Sequence, residues 1–272
     1  MKKIIAATDF SDAALNAVAY AADMAVFLQA ELLLLYVYPL PVVHSDLPTT
    51  AIDNELMEES ISMLREIKNK IKHRVSNAIP VQSEVKMGFF NEELNAISEQ
   101  LQPYLVVIGT QGKTAAEKLW FGSHAVHAMQ EIPWPIIAVP PSVSFSPLHK
   151  IALATDYTRL PENYVVEELE QLVTDFRAEL HIINIGNHNN DHPETKSGMD
   201  IINKRLAHLK PFYHFAASSE TDKAMLDFAE INAIDLLIIL PGRRGFFEKM
   251  MHRSHTRQVV LHSSVPVMAL HQ

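Results

Sequence analysis

The octapeptide Ile-Ile-Ala-Ala-Thr-Asp-Phe-Ser at positions 4–11 is met again at 151–158 as Ile-Ala-Leu-Ala-Thr-Asp-Tyr-Thr. Further along, Ser123-His124 matches Ser254-His255 and Pro135 matches Pro266. The early block is displaced by 147 positions and the later ones by 131, so a duplicated unit whose second copy is 16 residues shorter in its middle accounts for both. Chance likeness between two apolar strands would not place matched blocks at both ends in the same order. A chain of 272 residues holds two such units, each with its own core. The Pro- and Ser-rich stretch 140–149 reads as the linker, which gives expected domains at 1–141 and 149–272.

Within the first unit, strand and helix signals alternate. KKIIAATD reads as a buried strand, and Ser11 then caps a helix whose Ala14, Val18, Ala21, Ala25 and Leu28 share one face. ELLLLYVY is a second apolar strand. A helix with Met57, Ile61, Leu64 and Ile71 aligned follows, then the strand VQSEVKMG and a short helix through Leu94, Ile97 and Leu101. LVVIG and PIIAVP complete the set, with a helix between them beginning near Ser123. Apolar strands joined by amphipathic helices require crossover connections, so the expected fold is α/β: two tandem open sandwiches, each a five-stranded, mostly parallel sheet with helices on both faces, Rossmann-like in its architecture.

Composition narrows the partners. Lys and Arg total 23 against 32 Asp and Glu, a formal charge of −9, so the summed field repels nucleic acid and anionic membranes. Cysteine is absent, which rules out disulfides and thiolate metal sites. The apolar run at the start stops at Thr8-Asp9, and the longest apolar stretch, LLLLYVYPLPVV, is broken by prolines. A cytoplasmic protein is expected.

The stretch GTQGKTAAEKLWFGS, 109–123, contains Gly-Lys-Thr but is no Walker loop, because the glycine such a loop needs five positions earlier is Val107, inside a strand. What remains is Gly109, Gly112 and Gly122-Ser123 between a buried strand and a helix start. The chain has only 8 glycines, and three fall within these 15 residues. Glycine lets a ligand approach the main chain, and the free N–H groups of a following helix add donors and partial positive charge. Such a loop lies where open α/β sheets bind ligands. On the residues alone, a cradle of backbone amides and a plain strand-to-helix turn account for the glycines equally well.

The pattern Gly109-x2-Gly112-x9-Gly122-Ser123, with Ala7-Thr8-Asp9 ending the first strand, resembles the nucleotide-binding motif of the universal stress protein family in its tandem-domain form. The resemblance implies ATP as ligand, with AMP or ADP as alternatives and an accompanying Mg2+ left open. It implies that Ala7, Thr8 and Asp9 line the adenosine, that the backbone of Val37 reads adenine, and that Ile108 and Gly109 flank base and ribose. Gly112, Gly122, Ser123 and the amides of His124 and Ala125 would hold the phosphates. Many relatives carry a hydroxyl residue where this chain has Ala125, so one phosphate contact is expected to be missing. Lys113 reads either as a partner for the terminal phosphate or as an exposed loop lysine. Asp9, without the glycine loop, would read as a helix cap beside Ser11.

The second copy departs from the motif. At the displacement of 131, Leu240, Arg243 and Arg253 replace Gly109, Gly112 and Gly122, and only Ser254 survives. One competent site is therefore expected, in the first domain. Asp156 is then a remnant, and Arg243, Arg244 and Arg253 read as solvated or ion-paired, with an anion site built by their guanidinium groups as the alternative. The 14 histidines include His188 and His192 near Asp191, and His252 and His255, but neither group makes a complete metal set. Trp120-Phe121 reads as loop packing. No nucleophile with a base in reach is present, so no catalytic residue is assigned. Three functions stay in play: a nucleotide-sensing regulator acting on an unidentified protein partner, an interaction module with no ligand, and, third, a slow ATP hydrolase. The strands PIIAVP and PVMALH would be exposed sheet edges. The resemblance implies that they pair across a two-fold axis, making an intramolecular pseudo-dimer, with a homodimer as a further step.

Overall fold

The computed structural model describes residues 1–39, 50–110, 125–155, 163–185, 193–216, 218, 220–241 and 254–271. The first half runs β1 (Lys3–Ala7), α1 (Asp12–Leu28), β2 (Glu31–Tyr38), α2 (Thr50–Arg74), β3 (Val81–Met87), α3 (Phe90–Leu101), β4 (Leu105–Gly109), the helical residues 125–131 (α4) and β5 (Ile136–Val139). The second half repeats the order: β6 (Lys150–Thr155), α5 (Asn163–Phe176), β7 (Glu179–Ile185), α6 (Pro193–Leu206), β8 (Phe212–Ala216), α7 (Thr221–Ile231), β9 (Leu236–Ile239), α8 (Ser254–His262) and β10 (Val267–Ala269).

The strands form one ten-stranded sheet in the order β3-β2-β1-β4-β5-β10-β9-β6-β7-β8. Neighbours within each half are parallel; β5 and β10 pair antiparallel, with Ile136, Ile137 and Ala138 opposite Ala269, Met268 and Val267. The two strands read as exposed edges thus cover each other, which removes two rows of unpaired N–H and C=O groups. Strand residues alternate between faces: Ile4 and Ala6 join the core under α1, α2, α5 and α6, while Ile5 and Ala7 join that under α3, α4, α7 and α8. Burial on both faces explains the apolar runs Ile4–Ala7 of β1, Leu105–Ile108 of β4 and Ile151–Ala154 of β6.

Ser11 caps α1 as its sequence predicts, its hydroxyl accepting from the Ala14 N–H at 3.2 Å. The helix is buried more widely than one stripe, with Ala13, Ala17, Tyr20 and Met24 also inside. The linker and the second half cover this additional face. The Asn16 amide donates to the carbonyls of Pro140 and Val143 at 3.1 and 2.9 Å, Phe145 meets Tyr20 edge-on at 5.3 Å, and Phe27 stacks on Phe176 of α5 at 5.1 Å. On α2 the aligned set is only partly the buried one: Leu64 and Ile71 face the core, whereas Ile61 is exposed.

At the far end of the sheet, His181 on β7 and His214 on β8 share a hydrogen bond of 3.0 Å between ring nitrogens, with Phe212 stacked on His181 and Phe228 edge-on to His214. Burial holds both imidazoles below their ordinary range; at His181 the carboxylate of Glu179, 3.6 Å away, pulls back and Lys150 adds to the lowering, while His214 is lowered further by His181. The unfolded chain therefore takes up protons first, so this contribution is present above about pH 6.5 and is lost progressively as the pH falls below that value through the lower folded-state range. Denaturant midpoints at pH 7.5 and 5.5 are expected to differ less for His214→Gln, which keeps a hydrogen-bonding side chain without titrating, than for the native chain.

Candidate functional site

β1 is the point where the strand order reverses, with β2 on one side and β4 on the other. In an open α/β sheet the crevice outside the carboxyl ends of such strands is the natural ligand site. A cavity of about 300 Å³ lies there, lined by Ala7, Thr8, Asp9, Ala14, Tyr36, Val37, Pro39, Gly88, Phe89, Phe90, Ile108, Gly109 and Ala125. The structure thus brings together seven of the residues singled out from sequence: Ala7, Thr8, Asp9, Val37, Ile108, Gly109 and Ala125. Gly112, Lys113, Gly122, Ser123 and His124 lie outside the described residues, as do Trp120-Phe121.

The turn from β1 into α1 is built by its own side chains. The Thr8 N–H donates to the Leu35 carbonyl at 2.9 Å, the last main-chain bond between β1 and β2. Thr8 Oγ1 accepts from the Phe10 N–H at 3.0 Å, and Asp9 Oδ1 accepts from both the N–H and the hydroxyl of Ser11, at 2.9 and 2.5 Å. Phe10 sits at φ 65°, a left-handed conformation costly for a bulky residue, held by its ring against Tyr36 at 4.4 Å. Asp9 consequently has two tasks on one carboxylate. Oδ1 fixes Ser11 at the helix start, while the side chain also lines the cavity. The cap and the ligand contact, set against each other on sequence alone, are compatible.

Main-chain bonding alternates along a parallel strand. Because Leu35 offers its carbonyl to Thr8, Val37, two residues on, turns its own N–H and C=O to the same side, where β1 has already ended. Tyr36, between them, faces β3 with its main chain and places its ring against Phe10. Burial pushes the Tyr36 hydroxyl above its usual range; a hydrogen bond with Ser60 draws it part-way back, and the fields of Tyr38 and Asp9 add to the rise.

Gly109 is required by packing as well as by any ligand. A Cβ there would stand 2.9 Å from the Ala13 carbonyl oxygen and 3.1 Å from the Ala14 nitrogen, so only a bare backbone lets β4 pass the first turn of α1. Close packing against α1 is thus a further reason for this glycine, beside the amide cradle and the plain turn that the sequence leaves open. In the second half its counterpart Leu240 carries a side chain, buried with 5% exposure. Asn184 there donates to the Thr155 carbonyl at 3.1 Å. Asp156, His188, Asp191, His192, Arg243, Arg244, His252 and Arg253 lie outside the described residues, as does the side chain of His255.

The apolar wall formed by Gly88, Phe89 and Phe90 escaped the sequence reading. A signal was available: Phe89 holds the N-cap position of α3 and its side chain makes no capping bond, where a Ser, Thr, Asp or Asn would ordinarily stand. Among the described residues no group of three or more His, Asp or Glu side chains is placed to hold a metal ion, and no helix is long and apolar enough to cross a membrane.

Comparison with known proteins agrees with this architecture. The model of the universal stress protein family matches residues 1–140, half of the chain. A universal stress protein of Methanocaldococcus jannaschii is 28% identical over 141 residues, which cover 51% of this chain and 81% of that protein. The crystal structure of a universal stress protein from Archaeoglobus fulgidus superposes with a TM-score of 0.75 at 19% identity, covering 98% of this chain and 97% of that one. A functionally unknown protein from Pseudomonas aeruginosa gives 0.58 at 14% identity, covering 100% and 92%. With the duplicated α/β halves and the glycine-bearing crevice beside β1, the family match leads to one conclusion: the chain belongs to the universal stress protein family.

Proposed function

We propose that the first half binds an adenine nucleotide, ATP by preference with AMP or ADP as alternatives, and that binding regulates rather than catalyses. The observation that carries this reading is the cavity at the switch point, where Ala7, Thr8, Asp9, Val37, Ile108 and Gly109 meet. Val37 presents a donor and an acceptor two residues apart from the last β1 bond, the pair that the N1 and N6 edge of adenine complements. Asp9 offers a carboxylate to ribose hydroxyls. Ala125, at the start of α4, marks the side on which the amides of His124 and Ala125, with Gly112, Lys113, Gly122 and Ser123, would meet the phosphates, with or without Mg2+. No general base or nucleophile is assigned, so bound nucleotide acts by stabilising the folded state and reshaping the surface offered to a protein partner.

Residues 1–141 and 149–272 are proposed as the two domains, joined through β5 and β10 as an intramolecular pseudo-dimer in a cytoplasmic protein; the antiparallel pairing of those strands supports this. The buried Leu240 favours a scaffolding role for the second domain. Equilibrium dialysis with ATP tests the proposal. The native chain should bind one equivalent and Gly122→Arg none, with phosphate release staying at the uncatalysed rate. Two equivalents, or equal retention by both chains, would contradict it.

A further inference from the structure

Among the described residues the sheet ends on β3 at one side and on β8 at the other, each with a neighbouring strand on one side only. The two edges are built differently. β3 carries Glu84 and Lys86, ion-paired at 2.7 Å, and charge along an edge discourages a further strand from adding to it. On β8 that protection is missing. Residues 211–219 contain no Asp, Glu, Lys or Arg, and the strand displays two exposed rings, Phe212 at 51% and Phe215 at 48%. Pro211, which has no N–H to give, stands just before the strand and limits where a ladder can begin.

The exposed rings lie on opposite faces. Phe212 stacks on His181, and His214 and Ala216 share its face, where Phe228 of α7 stands edge-on to His214. Phe215 shares the other face with Tyr213, which packs against the core under α6. A partner that covers both rings therefore lies in the plane of the sheet, as a strand does, and not on one face as a helix would. β8 itself meets that description. An antiparallel ladder is unchanged when its two strands exchange places, which a closed pair of identical chains requires. With the axis at His214, Phe212 of one copy stands opposite Ala216 of the other, and Tyr213 opposite Phe215. Each exposed ring then gains cover on its own face, large against small on one and ring against ring on the other. His214 meets its mate uncharged at neutral pH, since burial and the field of His181 hold its imidazole below the ordinary range. Lys210 and Glu220, both exposed, bracket the uncharged stretch. The antiparallel arrangement lays the Lys210 end of one copy along the Glu220 end of the other, where Lys223 also stands, 4.0 Å from Glu220.

We propose that β8 is an interface between two copies of this chain, paired antiparallel across a two-fold axis at His214 into one continuous sheet. A ladder this short makes a weak, reversible dimer. The pairing is independent of the nucleotide reading.

Sedimentation velocity on the full chain between about 1 and 300 µM should show a monomer–dimer equilibrium. Phe212→Lys and Phe215→Lys, at exposed positions, should each weaken association at least about tenfold while Tm stays within about 3 °C of the native value. Met87→Lys, at a half-exposed position on the opposite edge, should leave the equilibrium as it is. Because the chain has no cysteine, an introduced one reports the register. His214→Cys should cross-link two chains under mild oxidation, since residues on the axis have Cα atoms about 4.5–5.5 Å apart, within disulfide reach. Phe212→Cys, more than about 12 Å from its mate, should not. The proposal is overturned by a monomer throughout that range, by association that both lysine variants on β8 retain or that Met87→Lys weakens equally, or by failure of His214→Cys to cross-link more readily than Phe212→Cys.

Discussion

Gly109→Val should lower the melting temperature of the nucleotide-free protein by roughly 5–10 °C, a destabilisation of about 3 kcal/mol at the upper end of overpacking effects. The cause is the Ala13 carbonyl oxygen, 2.9 Å from the position of the added Cβ; this is helix backbone, which cannot swing aside as a side chain could. Gly109→Ala should show the same effect in weaker form. Gly88→Ala is the control: its Cβ would meet the Glu93 carboxylate at 2.7 Å, the far end of a flexible side chain that can rotate away, so a change within about 0.5 kcal/mol is expected. Thermal unfolding without ligand separates two reasons for a glycine at 109. Were it kept only for a nucleotide, Gly109→Ala would melt like the native chain and lose affinity alone.

The second large effect concerns Asp9. Asp9→Ala removes both bonds to Ser11 and a carboxylate at the mouth of the cavity, so it should cost about 1–2 kcal/mol of stability and at least about tenfold in ATP affinity. Ser11→Ala removes only the cap to Ala14, with about 1 kcal/mol lost and affinity retained. Asp9→Asn keeps an acceptor for Ser11 while losing the charge, and should fall between them in stability but with Asp9→Ala in affinity. Chemical denaturation and calorimetry on the three variants assign the two tasks of this side chain. Equal affinity losses in Asp9→Ala and Ser11→Ala would show that the carboxylate acts only through the turn.

Much of this molecule is legible in its sequence because its strands are buried on both faces. Ile4 to Ala7, Leu105 to Ile108 and Ile136 to Val139 are uninterrupted apolar runs, and the repeat of Ala-Thr-Asp sets the two halves in register. The corner of β1, the crevice beside it and the role of Ser11 follow from local chemistry. What escaped is non-local. The extra buried face of α1 exists because Phe145 and α5 come from more than 110 residues away, and nothing in the helix's own spacing announces them. Ile61 shares a period with Leu64 but lies beyond the arc that α2 buries, since periodicity fixes a face only to within a turn. Phe89 and Phe90 come to Val37 because β3 lies beside β2, a consequence of strand order. The packing demand on Gly109 depends on the approach of two backbones, which no composition argument can see.

The antiparallel junction of β5 with β10 carries a consequence beyond architecture. Where two copies of a domain associate as separate chains, each can exchange its mate and both must stay identical, so any substitution in one appears in the other. Covalent union of the copies ends that obligation. Leu240 carries a buried side chain where Gly109 carries none, and Phe145 has closed one flank while its opposite stays accessible. Such a molecule presents unlike surfaces at its two ends, so a protein docking on it meets a polar object with a defined head and tail.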